Sequence, residues 1–185
     1  MDCGKCGAKN ARWLNRNVWG MAITSFLSDT SHEMATAVLP SFLAALGSPP
    51  VVLGAIEGVS DALSSVVKLG AGWYSDRIGR RKGITVAGYL VTGVAMSLFA
   101  LARGWGLVLA ARAVGWLGRG VRGPLRDAIL ADSVEPEDRG KAFGFHRAGD
   151  TVGAIVGPLM AAALLGVFGK LSSGAETTAL RYVFM

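Results

Sequence analysis

Apolar residues run along this chain in five long blocks, each followed by a short polar or charged stretch. A helix needs about 20 mostly apolar residues to cross a bilayer. The pattern therefore predicts spans at about 18–46, 51–74, 84–102, 107–130 and 143–168, with the start of a sixth from 180. Residues 1–17 form a polar tail, and Gly47-Ser-Pro-Pro50 is an uncharged turn. The last apolar stretch stops within a few residues, so the chain reads as cut inside or just before its sixth helix.

Polar residues inside those blocks have a periodicity of their own. Glu57, Asp61 and Lys68 fall within about 40° of one helix face, and so do Arg112, Arg119 and Arg126. Charges at membrane depth are rare and face protein or water, never lipid. Both stripes are therefore expected to point inward. Asp29, His32 and Glu33 interrupt the first block in the same way, and Asp150 the fifth. Small residues recur every fourth position at Gly54, Gly58 and Ala62, and again at Gly149, Gly153, Gly157 and Ala161, followed by Pro158. Such seams let helices approach closely.

Composition excludes an ordinary soluble domain: 51% of the 185 residues are hydrophobic, 17% charged, and 26 are glycine. A net charge of +6 would suggest nucleic acid in a soluble chain. Here the basic residues gather between apolar blocks, which is the mark of topology, so no nucleic-acid partner is expected. Lys5, Lys9, Arg12 and Arg16 place the N-terminus in the cytoplasm of a cell whose inner or plasma membrane holds the chain. The first block lacks a cleavage site and is not a signal peptide. Cys3 and Cys6 stand in the tail with no second pair, and His32 and His146 are the only histidines, so neither metal nor cofactor is expected. No nucleophile elbow, phosphate loop or zinc motif points to an enzyme.

The most informative stretch is residues 72–82, Gly-Trp-Tyr-Ser-Asp-Arg-Ile-Gly-Arg-Arg-Lys, between the second and third blocks. A positive-inside loop accounts for Arg77, Arg80, Arg81 and Lys82 but not for Gly72, Asp76 and Gly79. Those seven residues resemble, position for position, the loop between the second and third helices of major facilitator superfamily transporters. Leu109-Ala-Ala-Arg112 resembles the start of a fourth-helix motif of that family, although Gly115 and Trp116 stand where Gln-Gly is usual. Gly153-x-x-x-Gly157-Pro158 resembles the fifth-helix motif of its antiporters, with Ala161-Ala162 in place of the closing Gly-Gly. The segments 119–128, 136–140 and 143–150 look like a bacterial subgroup.

The resemblance implies an all-α membrane protein, the N-terminal half of a twelve-helix transporter that works by alternating access. It implies proton-coupled export of a small molecule, with protons, the bilayer and a missing C-terminal half as partners. The alternatives are an importer of a sugar or metabolite and a receptor or scaffold subunit that moves nothing. Gly72, Asp76, Arg77, Gly79, Arg80, Arg81 and Lys82 would form an inner latch, with Asp127 or Asp132 as the acidic partner of Arg77 or Arg80. Asp29, His32, Glu33, Glu57, Asp61, Arg112 and Asp150 are the candidates for proton or substrate coupling. Asp29 with Glu33 is the first choice, because burial favours a protonated carboxyl and a nearby arginine an ionised one. Arg112 is either a coupling residue or a structural one paired with Asp29, Glu33, Glu57 or Asp61.

Overall fold

A computed structural model describes residues 13–77, 81–171 and 176–184. The described residues form six α-helices: α1 (Arg16–Ala45), α2 (Pro50–Arg77), α3 (Arg81–Ser97), α4 (Trp105–Asp132), α5 (Arg139–Leu171) and the short α6 (Glu176–Val183). A 3₁₀ turn, Leu98–Leu101, closes α3, and another, Pro136–Asp138, precedes α5. The observed helices follow the five apolar blocks, and the sixth begins a few residues earlier than the sequence pattern suggests. Among the described residues three segments are long and apolar enough to cross a membrane: Pro50–Tyr74, Arg81–Leu101 and Pro136–Phe168. Helices α1 and α4 have 30 and 28 residues, ample length for a span, but carry the charges that interrupt their apolar blocks.

Local chemistry sets the helix ends. The Asn15 side chain caps α1, accepting from the backbone N–H groups of Asn17 and Val18 at 2.9 and 3.0 Å. Its own amide donates to the Ser133 carbonyl at 2.6 Å, tying the start of α1 to the end of α4. At the other end of α1, Gly47 takes φ 74°, where a side chain would be strained. Ser48 N–H then reaches the Leu43 carbonyl at 3.0 Å and Gly47 N–H the Ala44 carbonyl at 2.9 Å. Two prolines follow, and Pro50 opens α2 at a position where its missing N–H costs nothing.

The helices pack as two groups. α5 lies along α1, while α4 lies against both α2 and α3. The glycine seam of α5 is what brings α1 so near. A Cβ on Gly157 would stand 2.6 Å from the Thr30 carbonyl oxygen, and one on Gly153 2.8 Å from that of Phe26. α4 has a second set of close approaches that the four-residue rule does not reveal. A Cβ on Gly118 would meet the Gly88 carbonyl at 2.9 Å and one on Gly120 the Ser64 carbonyl at 2.9 Å. The seam expected on α2 behaves differently: Gly54 and Gly58 face open space and Ala62 is exposed. Helix α2 instead packs through Ile56, Ser60, Ser64 and Ala71, one face away.

Apolar residues cluster at the two ends of the bundle. The larger cluster holds Val38, Leu39, Phe42, Ile56, Phe99, Val108 and Phe184. The smaller is built on Val18, Leu130 and Ala142. α6 joins the larger cluster, where Phe184 meets Phe42 and Phe99 edge to face, and its Arg181 donates to the Ala100 and Ala102 carbonyls at 3.3 and 2.8 Å. Between the clusters lies a belt of buried polar side chains.

Candidate functional site

The belt is organised by the arginines of α4. At its upper end Arg112, with 1% of its side chain exposed, donates through Nη2 to both Glu57 carboxylate oxygens at 2.7 and 3.0 Å, and to the Thr36 hydroxyl at 3.1 Å. Glu57 is thus the partner selected from the four carboxylates that the sequence leaves open. One turn on, Trp116 lies beside Arg112 and Arg119 with ring centroid distances of 5.7 and 5.4 Å, and the buried His32 ring meets it edge-on at 5.4 Å. His32 keeps to this edge-on contact and makes no ion pair among the described residues.

The middle of the belt centres on Asp29. Arg119 donates to it at 3.0 Å and Arg122 approaches at 3.8 Å. Arg122 also donates to the Ser28 hydroxyl at 2.8 Å and lies 4.0 Å over the Tyr89 ring. Below, Arg126 donates to Asp127 at 3.1 Å and to the Ser25 hydroxyl at 3.1 Å, with Asp150 at 3.9 Å. Arg147 stands 3.7 Å from Asp150 and the buried His146 Nε2 3.8 Å, both beyond hydrogen-bond distance. A low-dielectric surround makes each of these contacts costly to leave half-made.

A cavity of about 780 Å³ opens onto this belt. Lys68, Arg119, Arg122, Arg126 and Arg147 line it together with Asp29, Asp127 and Asp150. Trp116, Gly123, Pro124, Thr151 and Ala154 complete its wall. The cavity draws on α1, α2, α4 and α5, so a solute in it would touch both helix groups at once.

Not every candidate joins the belt. Glu33 is half-buried at the α1–α5 contact and makes no hydrogen bond or ion pair among the described residues, so it shares no partner with Asp29. Asp61 is exposed, one turn below Glu57. Gly149, Gly153 and Gly157 form the α1 contact, while Pro158 is exposed. Arg122, Arg126, Lys68 and Tyr89 belong to the site without having been singled out as coupling residues. Arg122 lies about 60° from the Arg119 direction on the helix. It is buried because α4 packs on two helices and so buries an arc wider than one stripe.

The latch residues are only partly in view. Residues 78–80, hence Gly79 and Arg80, and the Asp76 side chain lie outside the described residues. Among the described residues Asp132 pairs with Arg81 at 2.6 Å; a pairing with Arg80 lies outside them. Asp127 turns to Arg126, its neighbour in sequence. Arg77 lies 4.1 Å over the Trp73 ring, and Gly72 faces open space. Arg81 is close enough to reach Asp132 because it begins α3, which packs along α4 to its end. Lys82 is exposed and lines a groove of about 400 Å³ with Arg16 and Tyr89.

A profile described as Major Facilitator Superfamily matches residues 21–185, which is the helical bundle and its buried charged belt. The chain belongs to the major facilitator superfamily. It is 35% identical over 149 residues to an uncharacterised MFS-type transporter of Methanocaldococcus jannaschii, covering 80% of this chain and 37% of that protein. It is also 35% identical over 162 residues to an uncharacterised protein of Mycobacterium tuberculosis, covering 85% of this chain and 38% of that one. A third relative, the acurin A biosynthesis cluster MFS-type transporter of Aspergillus aculeatus, is 30% identical over 142 residues, covering 76% and 25%. The chain thus spans less than two fifths of the length of these relatives. Family membership and the apolar helices make it a multi-pass membrane protein of a transporter family, corresponding to the N-terminal half of the MFS fold.

Proposed function

We propose that this chain is the N-terminal half of a secondary active transporter that exports a small molecule in exchange for protons, by alternating access. The observation that carries the proposal is the charged belt of α4 opening onto a cavity shared by four helices. Asp29 and Asp150 are each placed between two guanidinium groups at the cavity wall. Such carboxylates can change their surroundings when two six-helix halves rock, and a proton can take the place of an arginine that withdraws. The fifth-helix glycine motif, with its likeness to that of antiporters, favours export.

A second six-helix half would supply the opposite wall of the cavity. The exposed α2 face carrying Gly54, Gly58 and Asp61 is available to it. The N-terminal tail and the loop around 78–80 would then lie in the cytoplasm of a cell bounded by this inner or plasma membrane. Inverted vesicles containing the protein expressed from its native gene test the proposal. A proton gradient, acidic inside, should drive accumulation of a transported solute. Solute movement down its own gradient that is indifferent to the proton gradient would contradict proton coupling.

A further inference from the structure

A second recess lies on the far side of the α1–α4 junction from the cavity. It is the groove of about 400 Å³ lined by Arg16 and Lys82, with α1 and α3 as its walls and α4 as its floor. Both walls belong to this chain. Gly20 and Thr24, on the α1 wall, stand about 180° and 140° around the helix from Asp29, which faces the cavity. Arg126 lines both spaces and divides them: it donates to the Ser25 hydroxyl at 3.1 Å, which stands 3.0 Å from the Tyr89 hydroxyl. A second six-helix half would cover the cavity side, which leaves the groove facing the bilayer.

The two ends of the groove differ in chemistry. Arg16 is the first residue of α1 and Lys82 the second of α3, both exposed, so a cation stands on either wall where the helices meet the membrane surface. From Arg16 to Thr24 and from Lys82 to Tyr89 the groove runs about 10–12 Å along the two helices, at about 1.5 Å per residue. Met21, Val86 and Ile129 make its deeper part apolar. Gly20 keeps that part open, since a Cβ there would meet nothing within 4 Å.

Cations at the surface above an apolar cleft match an amphipathic molecule with an anionic head. Basic pockets between membrane helices on the cytoplasmic side bind anionic lipid headgroups in this way. A soluble anion would use the cations and leave the cleft unfilled. A zwitterionic lipid would bring a cation of its own to Arg16 and Lys82.

We infer that the groove between α1 and α3 is a binding site for an anionic phospholipid of the cytoplasmic leaflet, its phosphodiester between Arg16 and Lys82 and an acyl chain along Met21 and Val86. The inference uses the transporter reading only for which face of the bundle meets lipid and which leaflet supplies it. It does not depend on what is transported or in which direction.

The test uses the protein expressed from its native gene, delipidated in detergent at constant ionic strength. Tm and the lipid retained in native mass spectrometry are followed with phosphatidylglycerol, phosphatidylcholine and inorganic phosphate. Phosphatidylglycerol should bind saturably and raise Tm, while the other two do neither. Arg16→Gln combined with Lys82→Gln should weaken phosphatidylglycerol binding about tenfold or more. Gly20→Leu should weaken it comparably by filling the cleft with both cations in place, and the open space around Gly20 lets this variant fold. Lys141→Gln, an exposed cation at the same end of the bundle but outside the groove, should leave binding unchanged.

Phosphatidylcholine bound as tightly as phosphatidylglycerol, or an equal loss in Lys141→Gln, would overturn the inference. So would phosphatidylglycerol binding that Gly20→Leu leaves intact, or that inorganic phosphate displaces. Phosphatidylglycerol that binds only after residues 2–12 are removed would give the groove to the chain's own N-terminal tail and also overturn it. The inverted-vesicle experiment decides the transporter reading separately, so failure of one is distinguishable from failure of the other.

Discussion

Arg119 on α4 donates to Asp29 on α1 at 3.0 Å, across the junction between the two groups of packed helices. The helices run closely together within each group and less so between α1 and α4. At its two ends the junction is bridged by the apolar clusters, and between them by polar contacts, Arg122 to Ser28, Arg126 to Ser25 and Arg119 to Asp29. A boundary made of exchangeable ion pairs can reorganise with less loss than one made of interlocked side chains.

Asp29 is the carboxylate on which proton coupling should depend. Asp29→Asn keeps the shape and removes the titration. Export driven by a proton gradient is expected to become insensitive to that gradient, while facilitated movement of the solute persists. Unchanged sensitivity in the variant would remove Asp29 from the coupling role, and Asp150→Asn would then be the next to examine.

Glu57 holds Arg112 in place, so Glu57→Gln should destabilise the protein by about 1.5–3 kcal/mol, the range for a hydrogen bond to a charged group. The loss stays below that for a fully buried pair because 33% of the Glu57 side chain is exposed. Adding Arg112→Met should recover part of the loss, since no buried charge is then left unpaired. Denaturation in detergent measures both, and a double variant less stable than Glu57→Gln would contradict the pairing.

Gly157→Ala should lower stability by about 1–3 kcal/mol, the usual cost of overfilling a packed contact. The new methyl would meet backbone atoms of Thr30 and Met34, which cannot rotate away. Gly166→Ala, on the same helix with nothing within 4 Å, serves as the control and should be neutral or slightly stabilising. Equal melting temperatures for the two variants would show that the seam does not set the α1–α5 distance.

The Arg81–Asp132 pair lies in the open, with 65% of the Asp132 side chain exposed. Asp132→Asn should therefore change stability by less than about 1 kcal/mol. If the pair helps hold one access state, transport should fall while membrane insertion stays normal. Normal transport would remove Asp132 from the latch.

The fold was legible because hydrophobic length and inserted charge are local properties of the chain. Spans, the α5 glycine seam and the inward stripe of Arg112, Arg119 and Arg126 all follow from spacing along one helix. Partner choice was not legible, because it depends on where two helices cross. Arg112 had four acidic candidates, and only the packing of α2 on α4 selects Glu57. For the same reason Asp132 meets Arg81, and α2 buries Ile56 and Ser60 while Gly54 and Gly58 stay open. Arg122 stands off the stripe of Arg112, Arg119 and Arg126, and spacing alone does not mark it as buried. A helix with two neighbours buries residues that a one-stripe analysis assigns to its flank.

The central claim is that the arginine-lined cavity opens to each side of the membrane in turn. Thr151, exposed and at the cavity wall, offers a place to read this directly. Among the described residues its hydroxyl bonds within its own helix, to the Arg147 carbonyl at 2.9 Å. With Cys3, Cys6 and any other native cysteine replaced by serine, Thr151→Cys is labelled with a membrane-impermeant maleimide applied to one face of the vesicle at a time. The account predicts labelling from both faces, with the ratio of the two rates shifting when a proton gradient is imposed. Labelling from one face only, at a rate no gradient changes, would contradict it.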